Sequence, residues 1–365
     1  MGCLRLFLAI SVLIAHSGPL FGSHLAGGPP AVQAFFSVSG FYMALVLNEK
    51  YARGPAGTGA FYLNRLLRLA PVYWIVLAAT VAFVLHGPTD GPYFARLQQL
   101  TPEWQAVTWV INTVAVGADV FQQFVIDPAT GSMHYVAGAD LTSSTSATGL
   151  LLVPQGWTLA IEAWFYLLAP WLVRLRPRWL LLLTVASLAC RLVLAKGFGL
   201  AAGAFYYGFF PNELATFLFG VWAYRGYRQM GRDNPLARRF GWVTLAAVLA
   251  FTFIWFRLPV PFKSLGFALF VAACLPTLFI ASKSARWDRW IGELAYPLYL
   301  GHGLLHEVLG PIGRDPRVLL PIGLAVSAVL LVIVDRPLDR LRQRLAMRVA
   351  KRGSDLASPA PLPTA

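Results

Sequence analysis

Charged residues are scarce in this sequence, since aspartate, glutamate, lysine and arginine make up only 13% of the 365 residues. Hydrophobic residues make up 57%, and the mean hydropathy is +0.61. Apolar runs recur along the whole chain, which a soluble globular protein does not tolerate. The composition therefore excludes a soluble fold and predicts an all-α integral membrane protein with several transmembrane helices.

Cysteine is also rare, and acidic residues are outnumbered by basic ones. Cys3, Cys190 and Cys274 lie in or beside apolar segments without a paired spacing, which excludes a disulfide framework and a cysteine metal site. The 30 lysines and arginines against 16 acidic residues give a net charge of +14. Because the basic residues form short clusters between apolar segments, they are topology signals and predict no nucleic-acid partner.

Ten apolar segments are long enough to predict transmembrane helices. They cover residues 4–22, 31–48, 69–86, 151–173, 179–195, 204–224, 240–256, 264–282, 292–310 and 318–335. Placing both termini in the cytoplasm puts 23 of the 30 basic residues there and seven outside. We therefore expect a bundle of about ten helices in one membrane domain, residues 1–345, followed by a disordered cytoplasmic tail, residues 346–365. The connection over residues 87–150 falls outside, where we expect a solvated loop; the alternative is a segment that caps or gates a site.

The first apolar segment, LRLFLAISVLIAH, is bracketed by Arg5 and His16. Eleven positions on a helix place the two side chains within about 20° of one face and about 16.5 Å apart along the axis. Arg5 then lies at the cytoplasmic mouth and His16 beyond the middle of the membrane, where an ionisable group usually faces a cavity. The alternative is that Arg5 only sets topology and His16 only bonds a neighbouring helix.

Four further segments combine aromatic and polar residues: AFFSVSGF (34–41), FYLNRLLRLAPVYW (61–74), QGWTLAIEAWFYLLAP (155–170) and LAYPLYLGHGLL (294–305). Together with Arg5 and His16, in this order, they resemble the signature segments of the acyltransferase 3 family, integral-membrane enzymes that O-acylate glycans and other acceptors. The matching positions are Phe35, Phe36, Ser39, Gly40, Arg65, Arg68, Trp157, Glu162, Phe219, Gly220, Tyr296, Tyr299 and His302. Thr158 stands where many members have serine, which keeps a hydroxyl at that position.

The resemblance implies a membrane-bound O-acyltransferase of the bacterial cytoplasmic (inner) membrane. It would move an acyl group, acetyl in the first instance, from cytoplasmic acyl-CoA to a hydroxyl of a glycan, glycolipid or related acceptor. Acyl-CoA would be a substrate, with no permanently bound cofactor and no metal. We expect a stand-alone transferase without the esterase-like domain that many relatives carry.

Residue chemistry suggests roles for the matched positions. Arg5, Arg65 and Arg68 would bind the phosphates of acyl-CoA, because guanidinium groups donate paired hydrogen bonds to phosphate. His16 would act as general base or as transient acyl carrier, and Glu162 would orient its imidazole or contact the acceptor. The alternative for Glu162 is a structural carboxylate paired with an arginine or a hydroxyl. The remaining predicted substrate-cavity residues are Ser39, Trp157, Tyr299 and His302. HGLLH, which includes His302 and His306, lacks the further ligands of a hydrolytic zinc site.

A second function remains open at the level of sequence. In a polytopic transporter or flippase, the buried histidine and glutamate would bind substrate or relay protons, and the arginines would set topology. The ordered signature segments and the lack of an internal repeat favour the acyltransferase.

Overall fold

The computed structural model describes residues 1–51, 54–87, 92–200, 204–255, 257, 259, 262–342 and 344. Helices dominate this part of the chain, so the protein is an all-α membrane protein, as the composition predicts. The predicted tail, residues 346–365, lies outside the described residues.

The helices follow the predicted apolar segments. They are α1 (Gly2–Ser17), α2 (Gly28–Glu49), α3 (Pro55–His86), α4 (Pro92–Gln98), α5 (Pro102–Val114), α6 (Ala118–Phe121), α7 (Gly156–Leu172), α8 (Pro177–Gly197), α9 (Ala204–Tyr207), α10 (Phe210–Met230), α11 (Pro235–Trp255), α12 (Lys263–Ser282), α13 (Arg286–Glu293), α14 (Ala295–Leu309) and α15 (Pro316–Leu330). Single 3-10 turns cover Ala147–Leu150 and Gly310–Arg314, and a π turn covers Leu331–Asp335. Each of the ten predicted segments overlaps at least one of these helices.

Within the described residues, six helices are long and apolar enough to cross a membrane by length and composition. They are Gly28–Glu49, Pro55–His86, Pro177–Gly197, Pro235–Trp255, Lys263–Ser282 and Pro316–Arg342. The helix α1 is apolar but shorter, with 16 residues.

The helix α2 lies at the centre of the bundle and packs against α10, α12 and α1. Its closest neighbour is α10, because a glycine on each helix removes the side chain at the crossing. A Cβ atom at Gly40 would lie 2.0 Å from the carbonyl oxygen of Phe217, and one at Gly220 would lie 1.9 Å from that of Ser37. The Ser37 hydroxyl donates to the Thr216 carbonyl at 2.9 Å across the same contact. Gly40 and Gly220, both signature positions, therefore set how closely the two helices approach.

The helix α1 packs against α2, α13, α14 and α15. Its first turn is anchored by Asp288 of α13, whose carboxylate accepts hydrogen bonds from the backbone N–H groups of Gly2 at 2.7 Å and Cys3 at 2.9 Å. A carboxylate at this position satisfies free N–H groups and favours the helix dipole. This contact fixes the position of α1 along its own axis, and therefore the positions of Arg5 and His16 in the bundle.

The connection between α3 and α7 is structured, whereas the sequence led us to expect a solvated loop. It contains α4, α5, α6 and an antiparallel hairpin of β1 (Phe124–Ile126) and β2 (Met133–Tyr135). Asn112 ties it together, because its side-chain amide donates to the Leu150 carbonyl and accepts from the Leu152 N–H. The Tyr73 hydroxyl of α3 also donates to the Asn112 carbonyl at 2.6 Å. These bonds hold the connection against the bundle.

Candidate active site

Three arginines line a cavity of about 460 Å³ near the end of the bundle where α1 begins. We call it the arginine cavity; it is lined by Arg5 of α1, Arg65 and Arg68 of α3, Glu162 and Tyr166 of α7, and Ser39 of α2. Arg65 and Arg68 project from one face of α3 because they are three residues apart. Two more cations that sequence reasoning treated only as topology signals, Lys283 and Arg289, also line this cavity.

The three arginines have few anionic partners of their own. Among the described residues, no ion pair within 4.0 Å joins Arg5, Arg65 or Arg68 to a carboxylate. Arg65 donates to the side-chain oxygen of Asn64 at 2.9 Å, while its buried Nε atom has no hydrogen-bond partner in the part of the chain that the structure describes. Buried guanidinium N–H groups without partners are costly. The arrangement thus suits an anionic ligand.

Glu162 is held inside the arginine cavity by the side chain one turn further along α7. The Tyr166 hydroxyl donates to the Glu162 carboxylate at 2.9 Å, and Ser39 of α2 lies 3.3 Å from the same hydroxyl. Sequence reasoning did not single out Tyr166, because a tyrosine in an apolar helix carries no signal of its own. Glu162 therefore lines the same cavity as the three arginines, and His16 does not line that cavity.

A second cavity, of about 940 Å³, lies towards the other end of α1. We call it the histidine cavity; its polar lining includes His16, Gln33, Gln155, Glu213, His302 and His306. Trp157 also lines it, as do Tyr93, Phe94 and Thr148 from the connection between α3 and α7. The connection is therefore a wall of this cavity.

His16 and His302 lie side by side, with ring centroids 5.1 Å apart. Each ring binds a backbone carbonyl through Nδ1: His16 to Val12 at 2.8 Å, and His302 to Tyr299 at 2.7 Å. A carbonyl oxygen only accepts, so each Nδ1 carries the proton and each Nε2 of a neutral ring keeps its lone pair. His16 is exposed to the cavity, whereas His302 is 1% exposed. The His16 Nε2 atom is thereby a base that a ligand can reach.

Gln155, which sequence reasoning missed, supports the second histidine. Its side-chain nitrogen lies 3.4 Å from the His302 Nε2, so the amide is the donor and the imidazole the acceptor. Its backbone carbonyl accepts from the Thr158 hydroxyl at 2.8 Å. Since that hydroxyl has one proton, Tyr299 is the donor in the 2.9 Å contact between its own hydroxyl and Thr158. The hydroxyl retained at Thr158 thus links α7 to α14.

The two cavities meet around three side chains, since Val32, Phe36 and Tyr299 line both. Helix α1 runs past both cavities, with Arg5 in the first and His16 in the second. The structure brings Arg5, Arg65, Arg68, Glu162 and Ser39 together, and separately His16, His302 and Trp157. It does not bring Glu162 to His16. Over the described part of the chain, no group of three histidine, cysteine or acidic side chains forms a metal-binding cluster.

These features define a multi-pass helical membrane protein with a cationic cavity and a histidine-bearing cavity that meet inside one bundle. The chain belongs to the acyltransferase 3 family, whose acyltransferase domain matches residues 1–335.

Relatives with curated descriptions share a quarter to a third of matched positions. Nodulation protein 10 of Rhizobium leguminosarum bv. viciae is 25% identical over 378 residues, covering 94% of both proteins. O-acetyltransferase OatA of Staphylococcus aureus (strain NCTC 8325 / PS 47) is 27% identical over 183 residues, covering 48% of this chain. Protein 2 in the picA locus of Rhizobium radiobacter is 32% identical over 167 residues, covering 44% of this chain and 67% of its own length. The match spans 25% of the staphylococcal protein's length. No solved structure matches the chain.

Proposed function

We propose that this protein is a membrane O-acyltransferase that moves an acyl group, acetyl in the first instance, from acyl-CoA to a hydroxyl of a glycan, glycolipid or related acceptor. The observation that carries the proposal is the meeting of the arginine cavity and the histidine cavity at Tyr299. Family membership supports an acyl donor, and the name of the staphylococcal relative supports acetyl.

The donor would occupy the arginine cavity. Three arginines without carboxylate partners suit the phosphates of CoA, because charge-assisted hydrogen bonds to phosphate are among the strong ones. The pantetheine arm, whose extended length is close to the rise of about 16.5 Å between Arg5 and His16, would pass between Val32, Phe36 and Tyr299. The thioester carbon would then arrive beside His16.

The acceptor would enter the histidine cavity. In one route, the His16 Nε2 atom takes the proton of the acceptor hydroxyl while its oxygen bonds to the carbonyl carbon, and the C–S bond breaks to release CoA. In the other, Nε2 attacks the thioester carbon and the C–S bond breaks, so that CoA leaves as the thiolate. The acceptor oxygen then attacks the acyl-imidazole, the C–N bond breaks, and the hydroxyl proton goes to the released thiolate. The Nδ1 bond to Val12 supports both routes, because it leaves Nε2 free of a proton. Glu162, which lies beside the arginines, would contact the donor or balance the positive charge of the arginines.

The proposal includes a topology. Both termini would face the cytoplasm of a bacterium, with ten membrane passes in its inner membrane, because 23 of the 30 basic residues then lie inside. The arginine cavity would open towards cytoplasmic acyl-CoA and the histidine cavity towards the opposite face.

Label transfer from acetyl-CoA tests the proposed function. Membranes containing the full chain would be given radiolabelled acetyl-CoA and candidate glycans. We expect His16→Ala to lower transfer by at least about 100-fold, the lower end of the range for a lost general base. The matched control is His86→Ala, since His86 bonds the Ala82 carbonyl at 2.7 Å through Nδ1 in the same way but lines neither cavity.

If His16→Ala transferred label as fast as the unmodified protein, His16 would be neither the base nor the acyl carrier, and the proposed mechanism would be wrong. If no acceptor became labelled while a solute crossed the membrane in a His16-dependent manner, the transporter alternative would replace the acyltransferase.

A further inference from the structure

A third pocket, of about 380 Å³, lies beside the histidine cavity and is rich in positive charge. We call it the lysine pocket; it is lined by Arg191 and Lys196 of α8, Lys263 of α12, and Tyr206 and Tyr207 of α9. Among the described residues that line it, three are cationic and none is acidic. Three of the seven basic residues that the charge distribution assigns to the outer face therefore meet at one place.

Arg191 is the buried part of this pocket, with a side chain that is 3% exposed. Its Nη2 atom donates to the Glu213 carboxylate at 2.7 Å and to the Asn212 carbonyl at 2.8 Å, which joins α8 to α10. Among the described residues, its buried Nε and Nη1 atoms have no hydrogen-bond partner within 3.5 Å, and the centroid of the Tyr206 ring lies 4.9 Å from the guanidinium carbon. A buried guanidinium normally has its donors satisfied. The unpartnered N–H groups of a side chain that lines a pocket therefore indicate a place for an acceptor of hydrogen bonds.

The lysine pocket adjoins the histidine cavity. Tyr207 lines both, and Glu213, the ion-pair partner of Arg191, lines the histidine cavity. Gln33 of α2 also donates to the Glu213 carboxylate, at 2.8 Å. A molecule in the histidine cavity could thus extend a charged group past Tyr207 into the lysine pocket.

We propose that the lysine pocket binds an anionic group of the acyl acceptor, a phosphate or a carboxylate, while the acceptor hydroxyl lies in the histidine cavity. This inference rests on the proposed function, because it names the class of acceptor as an acidic saccharide. Arg191 supplies buried donors on one side of the anion, and Lys196 and Lys263 supply charge at the mouth. Binding of the charged group would hold the sugar at one end and leave its hydroxyls facing His16.

A binding measurement on the full chain in phosphatidylcholine nanodiscs tests this assignment without relying on acyl transfer. The probes are methyl β-D-glucoside, methyl β-D-glucuronide and glucose 1-phosphate, which share a ring and differ in charge. Each is titrated by thermal shift in the presence of saturating CoA, so that the cations of the arginine cavity are occupied. We expect at least one charged sugar to bind about five-fold or more tightly than the neutral glycoside, and its identity then names the group as phosphate or carboxylate.

Lys196→Gln tests whether the charged sugar binds in the lysine pocket. Because Lys196 is exposed, its replacement removes the charge and should leave the packing unchanged. We expect it to weaken charged-sugar binding by about two- to five-fold, as for a partly exposed ion pair, and to leave the neutral glycoside unaffected. The matched control is Arg314→Gln, an exposed outer cation that does not line the pocket. Equal binding of neutral and charged sugars, or equal binding by Lys196→Gln and the unmodified chain, would overturn the proposal.

Nanodiscs that contain the anionic lipid phosphatidylglycerol show whether the anion in the lysine pocket comes from the saccharide or from a lipid headgroup. If the preference for the charged sugar persists, the anion belongs to the saccharide, as proposed. If the lipid abolishes the preference, a lipid headgroup occupies the pocket, and the assignment to the acceptor is overturned.

Discussion

At the scale of single residues, hydrogen bonds to backbone carbonyls set which ring nitrogen carries the proton in His16 and in His302. His16 and His302 each donate from Nδ1 to a carbonyl within their own helix, which leaves Nε2 unprotonated in the neutral ring. For His16, exposed to its cavity, this geometry makes a base available to a hydroxyl. For His302, the same lone pair accepts from Gln155, which marks it as a neighbour that helps to position the site.

The arginines give the residue-scale prediction. Arg5→Gln, Arg65→Gln and Arg68→Gln should each raise the KM for acetyl-CoA by about 10- to 100-fold, because each removes a charge-assisted hydrogen bond to phosphate. Steady-state kinetics with acetyl-CoA as the varied substrate measures this effect. Arg178→Gln is the control, since Arg178 is exposed on α8 and lies over the Trp179 ring. An unchanged KM in all three variants would make these arginines topology residues only.

Residue spacing predicted some of the site and missed the rest for identifiable reasons. Arg5 and His16 share one helix, so helix geometry alone predicts their separation and common face. Glu162 was expected to orient the His16 imidazole or to contact the acceptor; it lines the arginine cavity, which His16 does not line. Its depth depends on where α7 begins relative to α1, which is set by packing between helices that are distant in sequence. Gln155 and Tyr166 form hydrogen bonds whose partners lie elsewhere in the fold or one turn away, and no spacing signals them.

At the scale of helices, the crossing of α2 and α10 explains two signature glycines. Gly40 and Gly220 carry no reactive group, yet a Cβ atom at either position would lie about 2 Å from a backbone oxygen of the other helix. These two positions of the family pattern therefore serve packing. Small residues allow such close approach of helices within membranes. Because α2 also carries Ser39 and Phe36, this crossing positions walls of both cavities.

Gly220→Ala should destabilise the protein by about 2 kcal/mol or more, because the added methyl group meets the fixed backbone of Ser37. Thermal unfolding of the purified protein in detergent measures the loss as a lower Tm. Gly59→Ala is the matched control in α3, where an added Cβ has open space, and its Tm should stay the same or rise. Equal Tm values for Gly220→Ala and the unmodified protein would contradict the close crossing.

Hydropathy located segments that overlap the long helices, but it did not give all of the helix limits. It predicted 69–86 for α3, which begins at Pro55, because the first turns of this helix contain polar residues and the two arginines of the cavity. It also gave no helix in the connection to α7. Short helices such as α5 are stabilised there by contacts like those of Asn112, which join residues about 40 positions apart.

At the scale of the whole molecule, two cavities of different chemistry meet within one bundle. The arginine cavity offers positive charge, and the histidine cavity offers a base and an aromatic, mostly apolar wall. Under the proposed function, a charged donor and a hydroxyl acceptor would approach from different directions and react where Val32, Phe36 and Tyr299 lie. The connection between α3 and α7 adds a wall that the composition had suggested was solvated.

Cysteine labelling tests the proposed orientation. In a chain with Cys3, Cys190 and Cys274 replaced by alanine, Thr142→Cys should react with a membrane-impermeant maleimide in intact spheroplasts. Gln229→Cys, in the last turn of α10, should react only after permeabilisation. Both positions are exposed, so reactivity reports sidedness and not burial. Labelling with the opposite pattern would invert the topology, and equal labelling of both without permeabilisation would place them on one face.

A structure of the full chain in nanodiscs with acetonyl-CoA, in which a stable ketone replaces the thioester, tests the central claim most directly. Our account predicts the CoA phosphates against Arg5, Arg65 and Arg68, the pantetheine arm between Phe36 and Tyr299, and the ketone carbon about 3 to 4 Å from the His16 Nε2 atom. Density for the ligand outside the arginine cavity, or a ketone that ends away from His16, would contradict it.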